Sequence, residues 1–213
     1  MIDFQYAPYD EDICVIGAKG EGKTTFVKHE LMPLIQNCAY WIWSKKDGSY
    51  SGYGNVVRSI DDLGYGQFVI EERDKSKERF GQMLTKLYEG SQNGLYTNTV
   101  LIVEELHDYV TKQEIFQPLY HLVMTARNFG ISSIFISTTH TAIPNWIMNN
   151  ATHFFCYRQQ LNGAYEWLEK NIIGIDAWRL AKKIQRRKLL DEPEIEQHHG
   201  IYRDVRKSSV EYF

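Results

Sequence analysis

Residues Gly17 to Thr24 read Gly-Ala-Lys-Gly-Glu-Gly-Lys-Thr, the spacing G-x-x-x-x-G-K-T, directly after the apolar run Ile13, Cys14, Val15 and Ile16. That string constrains the fold because its chemistry needs a strand feeding a glycine-rich turn that opens a helix. The turn's backbone N–H groups then surround phosphates, the lysine reaches the outer two, and the hydroxyl of the last residue holds Mg²⁺. The segment from Thr24 to Gln36 supplies the helix, with its positive N-terminal end facing the anion. An ordinary glycine-rich turn would need neither flanking element. A bound nucleoside triphosphate follows, with ATP and Mg²⁺ as the expected pair. Gly17, Lys19, Gly20, Glu21, Gly22, Lys23, Thr24 and Thr25 are the expected nucleotide contacts, and Thr24 is also a metal ligand.

Further apolar runs read as strands: Asp12–Ile16, Ala39–Trp43, Phe68–Ile70, Thr99–Val103, Ser133–Ser137 and His153–Tyr157. They are nearly continuous in apolar residues, as in strands buried on both faces of a parallel sheet. Helical patterns fall between them. Lys75–Tyr88 carries Phe80, Met83, Leu84, Leu87 and Tyr88 at helical spacing, with Gly90 as a stop. Gln113–Asn128 carries Ile115, Leu119, Leu122, Val123 and Ala126, then Gly130. Alternating strand and helix predict a three-layer α/β domain with a mostly parallel central sheet and helices on both faces. Pro33 is expected to end or kink the first helix. Ser44–Asn55, rich in Lys, Gly, Ser and Tyr, reads as a loop. A helical extension is expected from about Asn162, including a helix capped by Asp176 and running to about Leu190. The tail Gly200–Phe213 reads as a strand or an extended arm. With no internal repeat or low-complexity linker, residues 1–213 are taken as one domain, with a core over about 10–160.

Composition excludes several classes. The net charge of −3 gives no whole-molecule basic field, so any nucleic-acid contact must use a local patch or a ring of subunits. Cys14, Cys38 and Cys156 lack C-x-x-C spacing and sit in or beside apolar segments, which favours buried thiols over disulfides or zinc. The seven histidines form no metal-binding pattern. No basic start with an apolar stretch marks a signal peptide, and no apolar run approaches membrane-spanning length, so a soluble intracellular protein is expected.

Glu104 and Glu105 end the apolar run Thr99–Val103. A phosphate-loop enzyme needs such acids on a strand beside its first strand. The first supports Mg²⁺, and the second polarises the attacking water. Successive side chains leave a strand on opposite sides, so the pair can divide these roles. Thr138 and Thr139, at the end of the next strand, are candidates to contact the γ-phosphate or align the water. Arg127 and Arg158 are candidates for the cation that neutralises charge spread over the γ-oxygens.

Asp61-Asp-Leu-Gly64 matches the D-x-x-G of GTPases, but no N-K-x-D base-reading motif exists. Lys19 lies four positions before Lys23, where the partition-ATPase variant of the loop needs five. No arginine-rich kinase lid is evident. Paired acids and a polar strand end therefore favour a water-attacking motor ATPase.

The segment His121-Leu-Val-Met-Thr-Ala-Arg-Asn-Phe-Gly-Ile-Ser-Ser-Ile-Phe-Ile-Ser-Thr-Thr-His140 resembles FtsK–HerA motors, in which an Arg-x-x-Gly-Ile turn leads into a strand ending in small polar residues. Ser44-Lys-Lys-Asp resembles that family's post-strand Asp-Pro-Lys turn, with Ser44 in place of the acid. The likeness covers about residues 10–160. Within the superfamily the chain is most similar to the genome-packaging ATPases of icosahedral viruses with internal membranes, those of the Sulfolobus turreted icosahedral viruses above all. The resemblance implies a RecA-like core and a ring, hexamer or pentamer, with double-stranded DNA threaded through it. It also implies a capsid, portal or membrane-vertex partner, and residence in the host cytoplasm or at the packaging vertex. On the family pattern Arg127 is the better match to a residue near a neighbour's nucleotide, and Thr138 or Thr139 falls at the sensor position. Two DNA contacts are conceivable. One is a pore loop of Lys45, Lys46, Tyr50 and Tyr53; the other is a basic stripe of Lys182, Lys183, Arg186, Arg187 and Lys188.

Overall fold

The computed structural model describes residues 4, 6–139, 143–159, 162–173 and 200–213. The expected helix from Asp176 to about Leu190 and the basic stripe on it lie outside these residues, as does His140.

The apolar runs become strands because both their faces are covered. In β1 (Ile13–Ile16), β2 (Ala39–Trp43) and β5 (Thr99–Val103) every residue is buried. Alternate residues enter two different cores. Cys14, Ile16, Trp41, Trp43, Leu101 and Val103 join one, while Ile13, Val15, Tyr40, Ile42, Val100 and Ile102 join the other. The remaining strands are β3 (Asn55–Val57), β4 (Gln67–Ile70), β6 (Ile131–Ser137), β7 (His153–Cys156), β8 (Ile201–Asp204) and β9 (Ser209–Tyr212). They form one sheet in the order β3-β4-β2-β5-β6-β1-β7-β8-β9. The pairings from β3 across to β7 are parallel. β8 and β9 add antiparallel at the β7 side.

Helices cover both faces. α1 (Lys23–Phe26) continues as a π turn over Val27–Leu31 and a 3₁₀ turn over Met32–Ile35, with Pro33 at the start of the latter. Its Val27, Leu31, Met32 and Ile35 fill the second core. α2 (Lys77–Gln92), α3 (Gln117–Thr125) and α4 (Asn145–Asn150) lie over the first, through Phe80, Leu84, Leu119, Leu122 and Ile147. α5 (Asn162–Leu168) follows β7. The result is a three-layer α/β fold. Among the described residues no helix is long and apolar enough to cross a membrane.

Several expectations need correction. β5 is not the neighbour of β1, because β6 lies between them. This sets Thr138 and Thr139, at the end of β6, between the phosphate loop and the acids. Gly90 does not stop α2, which runs on to Gln92. A Cβ on Gly90 would stand 2.0 Å from Cδ2 of Tyr96, so the glycine makes room for that ring. α3 starts at Gln117 with Pro118 in its first turn, leaving Ile115 outside it and exposed. β3 and α4 were not expected. Two readings hold, by contrast: the D-x-x-G match is a turn and not a GTPase motif, with a 3₁₀ turn over Ile60–Asp62 capped by Ser59. All three cysteines are free and buried.

Candidate nucleotide site

The phosphate loop leaves β1 between its two neighbouring strands. Gly17 N–H donates to the Ser137 carbonyl on the β6 side at 3.2 Å, and Ala18 N–H to that of Arg158 on the β7 side at 2.8 Å. Gly20 and Gly22 have φ of 86° and 87°. That left-handed conformation costs little only at glycine, and at Gly22 it forms the cap from which α1 starts. The first-turn amides of α1 have no acceptor within the helix and open on the loop. Lys23 is buried, and its Nζ donates to the Gly17 and Ala18 carbonyls at 2.6 and 2.8 Å. Burial lowers its pKa, while Glu105, Glu21 and Glu104 pull it back up. Four parts of the chain thus surround one cleft of about 770 Å³. They are the loop with Thr24 and Thr25, Lys45 and Lys46 after β2, Glu104 to Asp108 after β5, and Thr138 with Thr139 after β6.

Glu104 is the best-held acid in the cleft. It is buried, and its Oε1 accepts from Thr24 Oγ1 at 2.8 Å and from Tyr50 OH at 3.2 Å. Its Oε2 accepts from Ser44 Oγ at 2.5 Å. A hydroxyl and a buried carboxylate joined by one hydrogen bond are the hard oxygen ligands that Mg²⁺ takes alongside water and phosphate. The donor set therefore fits the expected metal. Among the described residues there is no cluster of three or more His, Cys, Asp or Glu that could hold a metal without help from phosphate oxygens.

Glu105 differs from its neighbour. It is a non-glycine residue at φ 51°, ψ 48°, a sparsely populated conformation that aims its carboxylate out of the strand line. Its side chain is 36% exposed, whereas Glu104 is 5% exposed as a whole residue. His107, two residues on, folds back beside it, with Nδ1 at 3.3 Å from Glu105 Oε2. Thr138 Oγ1 lies 3.3 Å from His107 Nε2. The Thr139 carbonyl accepts from Ser137 Oγ at 2.9 Å.

The arginines are both engaged within the chain. Arg158 follows β7 and pairs with Glu21 of the loop, Nε to Oε1 at 2.9 Å and Nη2 to Oε1 at 2.7 Å. It therefore stands beside its own phosphate loop. Arg127 donates to Asp12 Oδ2 at 3.1 Å and to the Asn150 carbonyl at 2.9 Å. Asp12 and Gly17 flank β1 at opposite ends, about 17 Å apart at the usual strand rise. The structure brings Arg158 to the site and leaves Arg127 at the opposite, N-terminal end of β1 and β6.

A second hollow, about 650 Å³, adjoins the first and shares Gly22 and Thr25 with it. Phe26, Phe155, Tyr157 and Phe213 line it, and Phe213 sits 5.8 Å from Phe26 and 5.3 Å from Tyr157 between ring centroids. The pairing of Gly200 with Phe213 after β9 holds that last ring in place.

Of the residues expected in a pore loop, Lys45, Lys46, Tyr50 and Tyr53, Tyr50 does not face solvent. Tyr50 is fully buried on Glu104, and the tyrosine that packs near it, Tyr53, is half-buried. Lys45 pairs with Asp108 at 2.7 Å, and Lys46 lines the phosphate-loop cleft. Sequence reading missed Ser44 and Tyr50 as partners of Glu104, and His107 altogether. Ser44 stood out only as a departure from a family pattern, and Tyr50 lies in a stretch without periodicity. His107, three residues from an acid that ends a strand, was the one available hint.

No protein-family model matches the sequence, and no curated protein matches it. Solved structures do match. The genome packaging NTPase B204 from Sulfolobus turreted icosahedral virus 2, in complex with sulfate, aligns with a TM-score of 0.77 at 19% identity over 97% of this chain and 96% of that one. The chain has the fold of that NTPase. The same protein in complex with AMPPCP gives 0.75 at 20% identity over 97% and 98%. The pCW3 conjugation coupling protein TcpA with ATPγS gives 0.60 at 14% identity, over 97% of this chain and 60% of that one. ATPases 2 and 3 of EssC from Geobacillus thermodenitrificans give 0.53 at 16% identity, over 75% and 34%. The resemblance first read from residues 121–140 has its counterpart in these structural neighbours, and at such identities it is the P-loop NTPase fold that they establish.

Proposed function

We propose that the chain is an ATP-hydrolysing motor that translocates double-stranded DNA and packages a viral genome into a capsid. The observation that carries the enzymatic half is the Thr24–Glu104–Ser44 contact beside Lys23 and Glu105. A phosphate-binding lysine, a metal-binding hydroxyl with its acid, and a second, more exposed acid share one cleft. In this reading Lys23 leaves the Gly17 and Ala18 carbonyls for the outer phosphates, and Gly17 to Gly22 wrap them. Thr24 and Glu104 would hold Mg²⁺, which supplies charge neutralisation on the β- and γ-oxygens when bound. Glu105 takes a proton as water attacks the γ-phosphorus. The bond to the bridging oxygen breaks, and ADP and phosphate leave. Thr138 or Thr139 contacts the transferring group. The aromatic hollow beside Thr25 takes the base, with Tyr157 and Phe213 among its walls. Arg158 supplies positive charge next to the loop once Glu21 releases it, and a trans role for Arg127 requires it to give up Asp12.

The DNA half rests on the fold shared with B204, a genome packaging NTPase. A ring of subunits, hexamer or pentamer, would supply the positive field that a chain of net charge −3 lacks. A capsid or membrane-vertex protein would be the further partner. The rival reading is a nucleotide-gated switch that hydrolyses slowly and moves nothing. Phosphate release measured with and without double-stranded DNA separates them. A motor accelerates on DNA and gains mass as a ring with ATP. An unchanged rate in the presence of DNA favours the switch.

A further inference from the structure

We propose that His107 is a positioning residue that couples Thr138 to Glu105, so that the water-activating carboxylate is aligned only when Thr138 is engaged by a γ-phosphate. This rests on the ATPase reading above and adds to it a residue that the phosphate-loop motif does not predict.

The hydroxyls around the imidazole favour hydrogen on Nδ1. Ser137 Oγ donates to the Thr139 carbonyl at 2.9 Å, so toward His107 Nδ1, 3.5 Å away, it can only accept. In the proposed arrangement Nδ1 carries the hydrogen, and the same nitrogen lies 3.3 Å from Glu105 Oε2. Nε2 is left with a lone pair, and Thr138 Oγ1 at 3.3 Å is the hydroxyl that donates to it. Asp108 Oδ1 is farther from Nε2, at 3.8 Å, and the other Asp108 oxygen is taken by Lys45 at 2.7 Å. The ring then bridges the ends of β5 and β6, with a donor at one nitrogen and an acceptor at the other.

The two ends of this bridge have different claims on them. Glu105 Oε2 has no hydrogen-bond partner of good geometry, although it is shielded from solvent. Such an oxygen is free to turn toward a water or toward Nδ1–H. Thr138 has one proton to give. Toward His107 it goes to Nε2; a γ-phosphate oxygen competes for it. Taking that proton away frees the ring to rotate, and the ring carries the donor that faces Glu105. The αL turn at Glu105 is what folds His107 back to this place: Asp108 N–H closes it on the Glu105 carbonyl at 2.8 Å.

Steady-state hydrolysis by the full chain and by His107→Ala, His107→Asn, Thr138→Val and the His107→Ala/Thr138→Val double variant tests the coupling. The expected loss for His107→Ala is on the order of ten- to a hundredfold in kcat with KM little changed, the scale of a misplaced catalytic group. His107→Asn, whose amide reaches the Nδ1 position, recovers most of it. Thr138→Val slows the unaltered chain more than it slows His107→Ala, because in the latter only its direct phosphate contact remains to be lost. Nitrogen NMR of labelled histidine, with the His107 signals identified by their loss in His107→Ala, should report hydrogen on Nδ1 and a shift of Nε2 on Thr138→Val. A normal kcat for His107→Ala, multiplying losses in the double variant, or hydrogen on Nε2 each overturns the proposal. If the unaltered chain releases no phosphate, the ATPase reading fails and takes the proposal with it. Hydrolysis that survives His107→Ala removes the coupling alone.

Discussion

Three hydroxyls converge on the Glu104 carboxylate, and they differ in how visible they are from sequence. Thr24 belongs to the phosphate-loop spacing and could be assigned directly. Ser44 follows an apolar strand, and its position beside Glu104 depends on β2 and β5 pairing in register, Trp43 opposite Val103. Tyr50 comes from a stretch whose composition reads only as loop, yet it is fully buried. Burial and the Glu104 charge raise its pKa well above the usual tyrosine value, so it remains a donor to the carboxylate at every working pH. Motif spacing reports what the backbone needs locally; contacts made across strands leave no such trace. The same distinction applies to Lys23, whose role the motif gives and whose resting hydrogen bonds it does not. Lys23→Ala is expected to weaken ATP binding roughly a hundredfold, about 2.7 kcal/mol, by removing a charge-assisted contact to the phosphates. Calorimetric titration checks this, and near-normal affinity would remove Lys23 from the phosphate site.

Among the elements, strands buried on both faces were the most legible. Continuous apolar runs of four or five residues permit little else in an alternating pattern. β3, three residues long, and α4, six, were too short to carry a period. α2 was legible in its apolar stripe but not in its end, because Gly90 answers to a ring six residues later rather than to the helix. Gly90→Ala makes the point quantitatively. Helix propensity alone would gain up to about 1 kcal/mol, but the new methyl would overlap Tyr96, which packs on buried Trp41 with centroids 5.1 Å apart. The variant should be net less stable by about 1–2 kcal/mol in urea unfolding, and a stabilised variant would mean that Tyr96 yields freely. Arg127 joins the turn after α3 to the start of β1. Burial pushes Asp12 up to about 6, and Arg127 opposes that shift. Since the folded pKa lies above the unfolded value near 3.8, Asp12 favours the fold most when protonated, and that contribution is lost as pH rises through 6. Arg127→Ala raises the folded pKa further and leaves a buried carboxylate unpaired. Its stability deficit should be about 2 kcal/mol at pH 8 and smaller at pH 5. Equal deficits at both pH values would mean that the ion pair contributes nothing.

At the scale of the whole molecule, the sheet order accounts for the chemistry. With β6 between β1 and β5, the ends of three adjacent strands deliver the phosphate loop, the threonines and the acids to one cleft. The fold class and this cleft were legible because each strand end carries a distinctive polar residue type. The aromatic hollow was not, since Phe26, Tyr157 and Phe213 come from a helix, the end of a strand and a chain end that only the antiparallel β8–β9 pair brings together. In the proposed reading a DNA path would belong to an assembly rather than to one chain of net charge −3. The most direct test of the central claim, that this cleft converts ATP hydrolysis into work, is phosphate release by the unaltered chain beside Glu105→Gln, with ATP binding by each measured in parallel. The account predicts that both bind ATP with similar affinity and that Glu105→Gln loses at least about a hundredfold in kcat, the scale of a general base. Brisk hydrolysis by Glu105→Gln would contradict it.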